Sequence, residues 1–253
     1  MTPQEFEQSL RPLDVRTLKR DQSILSQRKD PDAYLGLAQL SELYEAFEFF
    51  TDWTSGRYSP ARAPQRPDLS QHFLDSDATN LALVLNDILF QDGVEEKILE
   101  RLRVVYDRAT ALLTRVQGGT VQLFLREKGL RTPTPASRLS DGTLRYLSLL
   151  AILCHPSPPP LVCIEEPELG LHPDILPTIA ELLLEASERT QLIVTTHSDL
   201  LVSQFTERPE VVVVCDRGPE GTFFRRLEAG QVGEADLSLG EQWLKGQIGG
   251  TRW

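Results

Sequence analysis

The chain has 253 residues, a net charge of −11, 40% hydrophobic and 25% charged residues. That is the composition of a soluble globular protein with room for one large domain or two small ones. No apolar run approaches the ~18 residues of a membrane helix, and Met1-Thr2-Pro3-Gln4-Glu5 lacks the basic-then-apolar pattern of a signal peptide, so no membrane is expected and the cytoplasm is. The acidic balance argues against a surface coated with bases for nucleic acid, though not against a local basic groove. Cys154, Cys163 and Cys215 sit in apolar sequence without metal-ligand spacing, which predicts buried, reduced thiols.

In chain order, Thr2-Pro3-Gln4-Glu5 reads as a helix start, with Thr2 as cap, Pro3 in the first turn and Glu5 closing a capping box. Residues 11–31 hold no sustained period and end at Asp30-Pro31. Leu37, Leu40, Leu43, Phe47 and Phe50 then recur every three or four residues, which predicts one helix with a buried stripe. The stretch from Ser55-Gly56-Arg57 to Asp68 is irregular and carries Arg57, Arg62 and Arg66; it reads as a solvated loop or as one whose arginines meet phosphate. Leu81, Val84, Leu85 and Ile88 mark a further helix. Val94, Ile98, Leu102, Val105, Ala109 and Leu112 mark a longer one, separated from it by Asp92-Gly93. Residues 1–117 therefore read as a mostly helical lobe, with a junction at Gly118-Gly119.

Residues 118–253 read differently. Thr120 to Leu125 has the β-branched and aromatic content of a strand, and a proline-bearing loop follows. Ser140 caps a helix carrying Leu144, Leu147, Leu150 and Ala151, which the prolines of residues 155–160 end. Leu161 to Ile164 is a continuous apolar run, as expected of a strand covered on both faces. A helix from about Asp174 to Ser187, a strand at 192–194, a short helix at 198–205 and a strand at 211–214 follow. Strands separated by helices predict right-handed crossovers and a parallel sheet, so the fold class is α/β, with an edge strand from residues 221–227. The tail from Leu239 to Trp253 points to no chemistry.

Parallel sheets collect reactive groups at the carboxyl ends of their strands. Glu165 and Glu166 end the first buried strand and His197 follows the second. Two adjacent carboxylates repel if buried unpaired, and a bound Mg²⁺ relieves that; the plain alternative is a pair of solvated acids and a capping or core histidine. Ser140-Asp141-Gly142 opens a helix whose first N–H groups and dipole favour an anion, and Gly142 permits close approach; the plain alternative is an ordinary capped helix.

Taken together, Leu139-Ser140-Asp141-Gly142-Thr143, the run Leu161 to Glu166, the turn Glu168 to Asp174 and His197 resemble the signature, Walker B, D-loop and switch histidine of ABC-type ATPases. The Glu-Glu-Pro-Glu-x-Gly-Leu-His-Pro form is similar to that of RecF-like ATPases, relatives of the SMC and OLD proteins. Asp21-Gln22-Ser23-Ile24-Leu25-Ser26, Pro64-Gln65-Arg66-Pro67-Asp68 and Ile248-Gly249-Gly250-Thr251-Arg252-Trp253 look like the same branch. The resemblance implies a P-loop NTPase-like ATPase head using ATP and Mg²⁺. It implies Glu165 in the metal shell, Glu166 orienting the attacking water and His197 at the γ-phosphate. Ser140 and Gly142 would meet the γ-phosphate of ATP held by a second subunit, and Gln22 would link the metal to the helical lobe. The family ends Walker B in Asp-Glu; Glu165 stands at the Asp position, so contact with the metal through water is an alternative to direct ligation.

One part of the pattern is missing. A P-loop reads Gly-x-x-x-x-Gly-Lys-Ser/Thr, and none of the 16 glycines here is followed by Lys. In the resembled family that loop lies N-terminal to everything present here. The expectation is one side of an ATPase site, in a homodimer or with a partner chain that supplies the P-loop, and little hydrolysis by the chain alone. Two rivals are a catalytically incomplete regulator that lends its signature helix to a complete ATPase, and a metal-dependent nuclease using the glutamates. DNA repair or phage defence enters at family level only, with DNA as a possible partner.

Overall fold

The computed structural model describes residues 15–228 and 236–250. The expected first helix and the last three residues of the tail lie outside them.

Three strands make a parallel sheet in the order β1 (Phe47–Phe50), β5 (Leu161–Glu165), β6 (Gln191–Thr195). An antiparallel sheet joins β2 (Ala109–Gln117), β3 (Thr120–Glu127) and the two-residue β4 (Thr134–Pro135). A separate hairpin pairs β7 (Val213–Gly218) with β8 (Gly221–Arg226). The helices are α1 (Ile24–Gln27), α2 (Pro31–Glu45), α3 (Leu81–Leu89), α4 (Val94–Arg103), α5 (Asp141–Leu153), α6 (Leu176–Ser187), α7 (Asp199–Ser203) and α8 (Leu239–Leu244). Among the described residues no helix is long and apolar enough to cross a membrane.

The α/β expectation holds, with four corrections to the sequence reading. The helix expected through Phe50 stops at Glu45, and Phe47–Phe50 instead pairs with β5. The aromatic run Phe47-Glu48-Phe49-Phe50 also suits a strand, which sends Phe49 and Phe50 to opposite faces and buries Phe50 to 1% exposure. Leu40 and Leu43 of the supposed buried stripe are exposed. The second correction shortens the helix expected through Leu112: α4 ends at Arg103, and Ala109–Gln117 forms a strand. A register shift between Ala109 and Ala111 breaks the alternation that would have announced it. The lobe read as mostly helical thus contains two strands. Gly118 and Gly119, both at positive φ (58° and 74°), make the tight turn between β2 and β3, so the expected junction lies inside a hairpin.

The third correction concerns the valine run at 211–214. A 3₁₀ turn takes Pro209–Val211, and β7 pairs only with β8 among the described strands, not with the parallel sheet. The fourth concerns the thiols: Cys154 is buried, Cys163 partly exposed and Cys215 exposed.

One hydrophobic cluster unites the two halves. It runs from Phe50, Leu81 and Leu102 through Leu123 and Leu147 to Ile164, Ile179 and Leu201. Arg101 of α4 fastens it from outside, donating to Glu181 and Glu185 of α6 at 2.5 Å each. Among the described residues only one face of the parallel sheet is packed against the core. Phe50, Val162 and Ile164 face the core, whereas the opposite face presents Phe49, Cys163 and Ile193 side by side in register. Phe49 is 53% and Ile193 50% exposed.

Candidate ATPase site

Glu165 is the last residue of β5 and is exposed. Glu166 follows at φ +43°, a left-handed conformation uncommon for a non-glycine residue. Its N–H donates to the Thr195 carbonyl at 2.9 Å, extending the β5–β6 ladder by one bond, and its side chain is 27% exposed. Because β5 and β6 are parallel and in register, their carboxyl ends coincide, and His197 comes beside the acids. His197 Nε2 lies 3.9 Å from Glu166 Oε1. The sequence-predicted pair Glu166–His197 is thereby brought together by one strand pairing.

The second piece is the N-terminus of α5. Ser140 caps it, accepting from the Thr143 N–H at 3.0 Å. Asp141 pairs with Arg62, which also donates to the carbonyls of Leu139 and Gly56. The hydrogen bond from Arg62 holds the Asp141 carboxyl below its ordinary range. So Arg62, from the loop read as solvated or phosphate-binding, anchors the start of this helix, while Arg66 pairs with Asp68. Gly142 has a local reason to be glycine: a Cβ there would stand 2.8 Å from the Gly170 carbonyl oxygen. The helix start and the turn after β5 therefore touch. A cleft of about 280 Å³ opens beside them, lined by Trp53, Ser59, Asp141, Gly142, Arg145 and Gly170.

Gln22 stands apart. It is exposed in the turn before α1, and its carbonyl accepts from Gln27 Nε2 at 3.1 Å. Nothing in the cleft lining or in the contacts of the acids includes it.

Sequence reasoning missed three residues. Arg145 of α5 donates through Nη2 to the Glu166 carbonyl, and Trp53 Nε1–H donates to the Glu165 carbonyl at 3.0 Å. Thr196 donates to Glu168 Oε1 and accepts from the Ser198 N–H at 3.0 Å, fixing the turn that carries His197. A signal existed for Arg145, the lone base in the largely apolar helix Asp141–Leu153. Trp53 had none, because its partner is remote in sequence.

Among the described residues no three acids, histidines or cysteines converge on one point. Mg²⁺ commonly takes one or two carboxylates, several waters and the oxygens of a substrate phosphate. The hard oxygens of Glu165 and Glu166 fit that partial shell, shared with a nucleotide, better than a self-sufficient metal site.

Acids and a histidine at the ends of adjacent parallel strands, beside a capped helix N-terminus, are the arrangement of an α/β nucleotide-using core. Residues 6–203 match the family model described as "AAA domain, putative AbiEii toxin, Type IV TA system", and the chain belongs to that family. It is an AAA-type ATPase domain with an α/β fold built on a parallel sheet.

No curated protein matches the chain. Among solved structures it is similar to an SMC ATPase from work on ATP-driven dimerization and DNA-stimulated activation (12% identity, 59% of this chain and 91% of that chain, TM-score 0.43). It is also similar to an SMC head with an extended coiled coil from Pyrococcus furiosus, bound to the C-terminal domain of ScpA (12%, 60% and 38%, TM-score 0.43). A third is the SMC head domain from Thermotoga maritima (17%, 58% and 52%, TM-score 0.38). The chain spans about half or less of the latter two.

Proposed function

We propose that this chain supplies one side of a composite ATP-hydrolysing site, the P-loop being contributed by another polypeptide segment. The observation that carries the proposal is the bare face of the parallel sheet. Parallel sheets occur almost only with both faces covered, yet among the described residues Phe49 and Ile193 are half exposed, Cys163 between them is partly exposed, and β6 has no partner on its outer side. Covering Phe49 and Ile193 would contribute roughly 1 kcal/mol each. A P-loop sits between a strand and a helix. A strand added parallel to β6 would end beside Glu165 and His197, and its right-handed crossover helix would return over a sheet face. That one addition would bring the phosphate cradle to the acids and close the open sheet.

In this reading Glu166 orients and deprotonates the attacking water, and His197, 3.9 Å away, contacts the phosphoryl group being transferred. Glu165 holds part of the Mg²⁺ shell, where the ion would neutralise phosphate charge. Ser140 and Gly142, with the free N–H groups of the first turn of α5, meet the phosphate of a nucleotide on the opposite protomer. Cytoplasmic location and a role in DNA repair or phage defence are extensions of the same proposal.

The test is ATP turnover by the native assembly containing this chain, purified through it and shown to carry a Gly-x-x-x-x-Gly-Lys-Ser/Thr loop. Glu166→Gln is expected to lower kcat about 10²–10⁴-fold, and Ser140→Arg to abolish turnover. Full turnover with Glu166→Gln and loss only with Ser140→Arg would support the rival reading, a non-catalytic partner lending its helix.

A further inference from the structure

Two successive carbonyls, those of Glu165 and Glu166, are held by the two members of one stacked pair. Trp53 Nε1–H donates to the first at 3.0 Å, and Arg145 Nη2 to the second. The Arg145 guanidinium lies over the Trp53 ring, 4.3 Å from its centroid, and Trp53 stacks in turn on buried Phe50 at 5.9 Å. A planar guanidinium can lie flat on a ring while donating from its edge, a geometry that a compact ammonium does not offer. The residue gripped, Glu166, is the one whose backbone is left-handed at φ +43°, a conformation that persists only where its surroundings impose it. Arg145 also sits one turn into the helix that begins at Ser140 and Gly142. Burial lowers the Arg145 pKa to about 10, opposed by the nearby Glu168 and Glu166 carboxylates, so the group is charged at neutral pH.

We propose that Arg145 and Trp53 are positioning residues that clamp the Glu165–Glu166 backbone, fix the direction of the Glu166 carboxylate and couple it mechanically to the signature helix of the same chain. The Glu166 part rests on the function proposed above. A shift of α5, as when its N-terminus engages a phosphate, would move Arg145 and with it the carbonyl of Glu166. Among the described residues Arg145 Nε and Glu168 Oε2 are both buried without hydrogen-bond partners. The clamp thus retains one unused donor, with an unused acceptor on the same turn.

Two arms test this. In the chain alone, NMR follows the Trp53 indole N–H, assigned with Trp53→Phe, and the backbone ¹³C shifts of Glu165 and Glu166. Arg145→Met is expected to speed indole exchange roughly tenfold and to move the Glu166 shifts away from left-handed values while the rest of the spectrum stays folded. Unchanged exchange and shifts would overturn the clamp. In the ATP-hydrolysing assembly, Arg145→Met is expected to lower kcat on the order of 10- to 100-fold with KM for ATP nearly unchanged. It should add nothing in a Glu166→Gln background. Arg145→Lys, which keeps the charge, should show the same loss; recovery of wild-type kcat by Arg145→Lys, or losses that multiply with Glu166→Gln, would overturn it. If Glu166→Gln itself leaves turnover intact, the ATPase reading fails, and the NMR arm still decides the clamp.

Discussion

At the scale of single residues, Gly142 and His155 carry the sharpest consequences. A Cβ at Gly142 would stand 2.8 Å from the Gly170 carbonyl, a backbone atom that cannot swing aside. Gly142→Ala should therefore lower stability by about 1–3 kcal/mol, read from urea unfolding; an unchanged midpoint would show that the two segments do not touch. His155 is 5% exposed, its Nδ1 accepts from the Ser157 N–H at 3.2 Å, and its ring packs edge-on against Phe73. Burial pushes its pKa below the ordinary 6.5. A histidine with a depressed folded-state pKa leaves stability intact above the unfolded value and removes it as pH falls toward the folded one. Unfolding free energy should fall below about pH 6.5, with His155 contributing at most about 1.4 kcal/mol per pH unit. His155→Gln should flatten that slope in urea titrations at several pH values; an identical slope would refute the assignment. The positions of the acids and His197 were legible in the sequence because each stands at or just past the end of an apolar run. Trp53 was not, since a carbonyl accepting from a remote side chain leaves no local trace, whereas Arg145 stood out as the lone base of α5 but its carbonyl partner did not.

Among the elements, those with continuous signals were the ones legible from sequence. Ser140 and the apolar face behind it announced α5, and the runs at 161–164 and 192–194 announced β5 and β6. β1 and β2 stayed hidden for physical reasons. Phe47 and Phe50 continue a helical spacing from α2, and the register shift at Ala109 erases the alternation of β2. The parallel sheet also departs from the sequence expectation in one respect: a run as apolar as Leu161 to Ile164 reads as covered on both faces, yet Cys163 looks outward between Phe49 and Ile193. Its thiol is a natural probe. In the isolated chain Cys215, exposed, should react first with a thiol reagent, Cys163 more slowly, and Cys154 hardly at all, since burial raises its pKa to about 11. In the ATP-hydrolysing assembly Cys163 should become roughly tenfold slower. An unchanged rate there would mean that the face stays bare, and that the segment carrying the P-loop docks elsewhere.

For the whole molecule, strands and helices from both halves share one hydrophobic cluster, and the reactive groups gather where β5, β6 and the start of α5 meet. In the proposed function Glu166 serves the water, Glu165 the metal shell and the start of α5 the phosphate of an opposite protomer, while the 253 residues hold no Gly-x-x-x-x-Gly-Lys-Ser/Thr to cradle a nucleotide. The composite-site proposal explains the exposed sheet face and the lack of that loop together, through one strand–loop–helix unit from another polypeptide segment. The most direct test is steady-state phosphate release from ATP and Mg²⁺ by the purified chain, set beside its Glu166→Gln variant. A composite site predicts no release by the chain above that of the variant. Turnover by the chain alone that Glu166→Gln abolishes would contradict it.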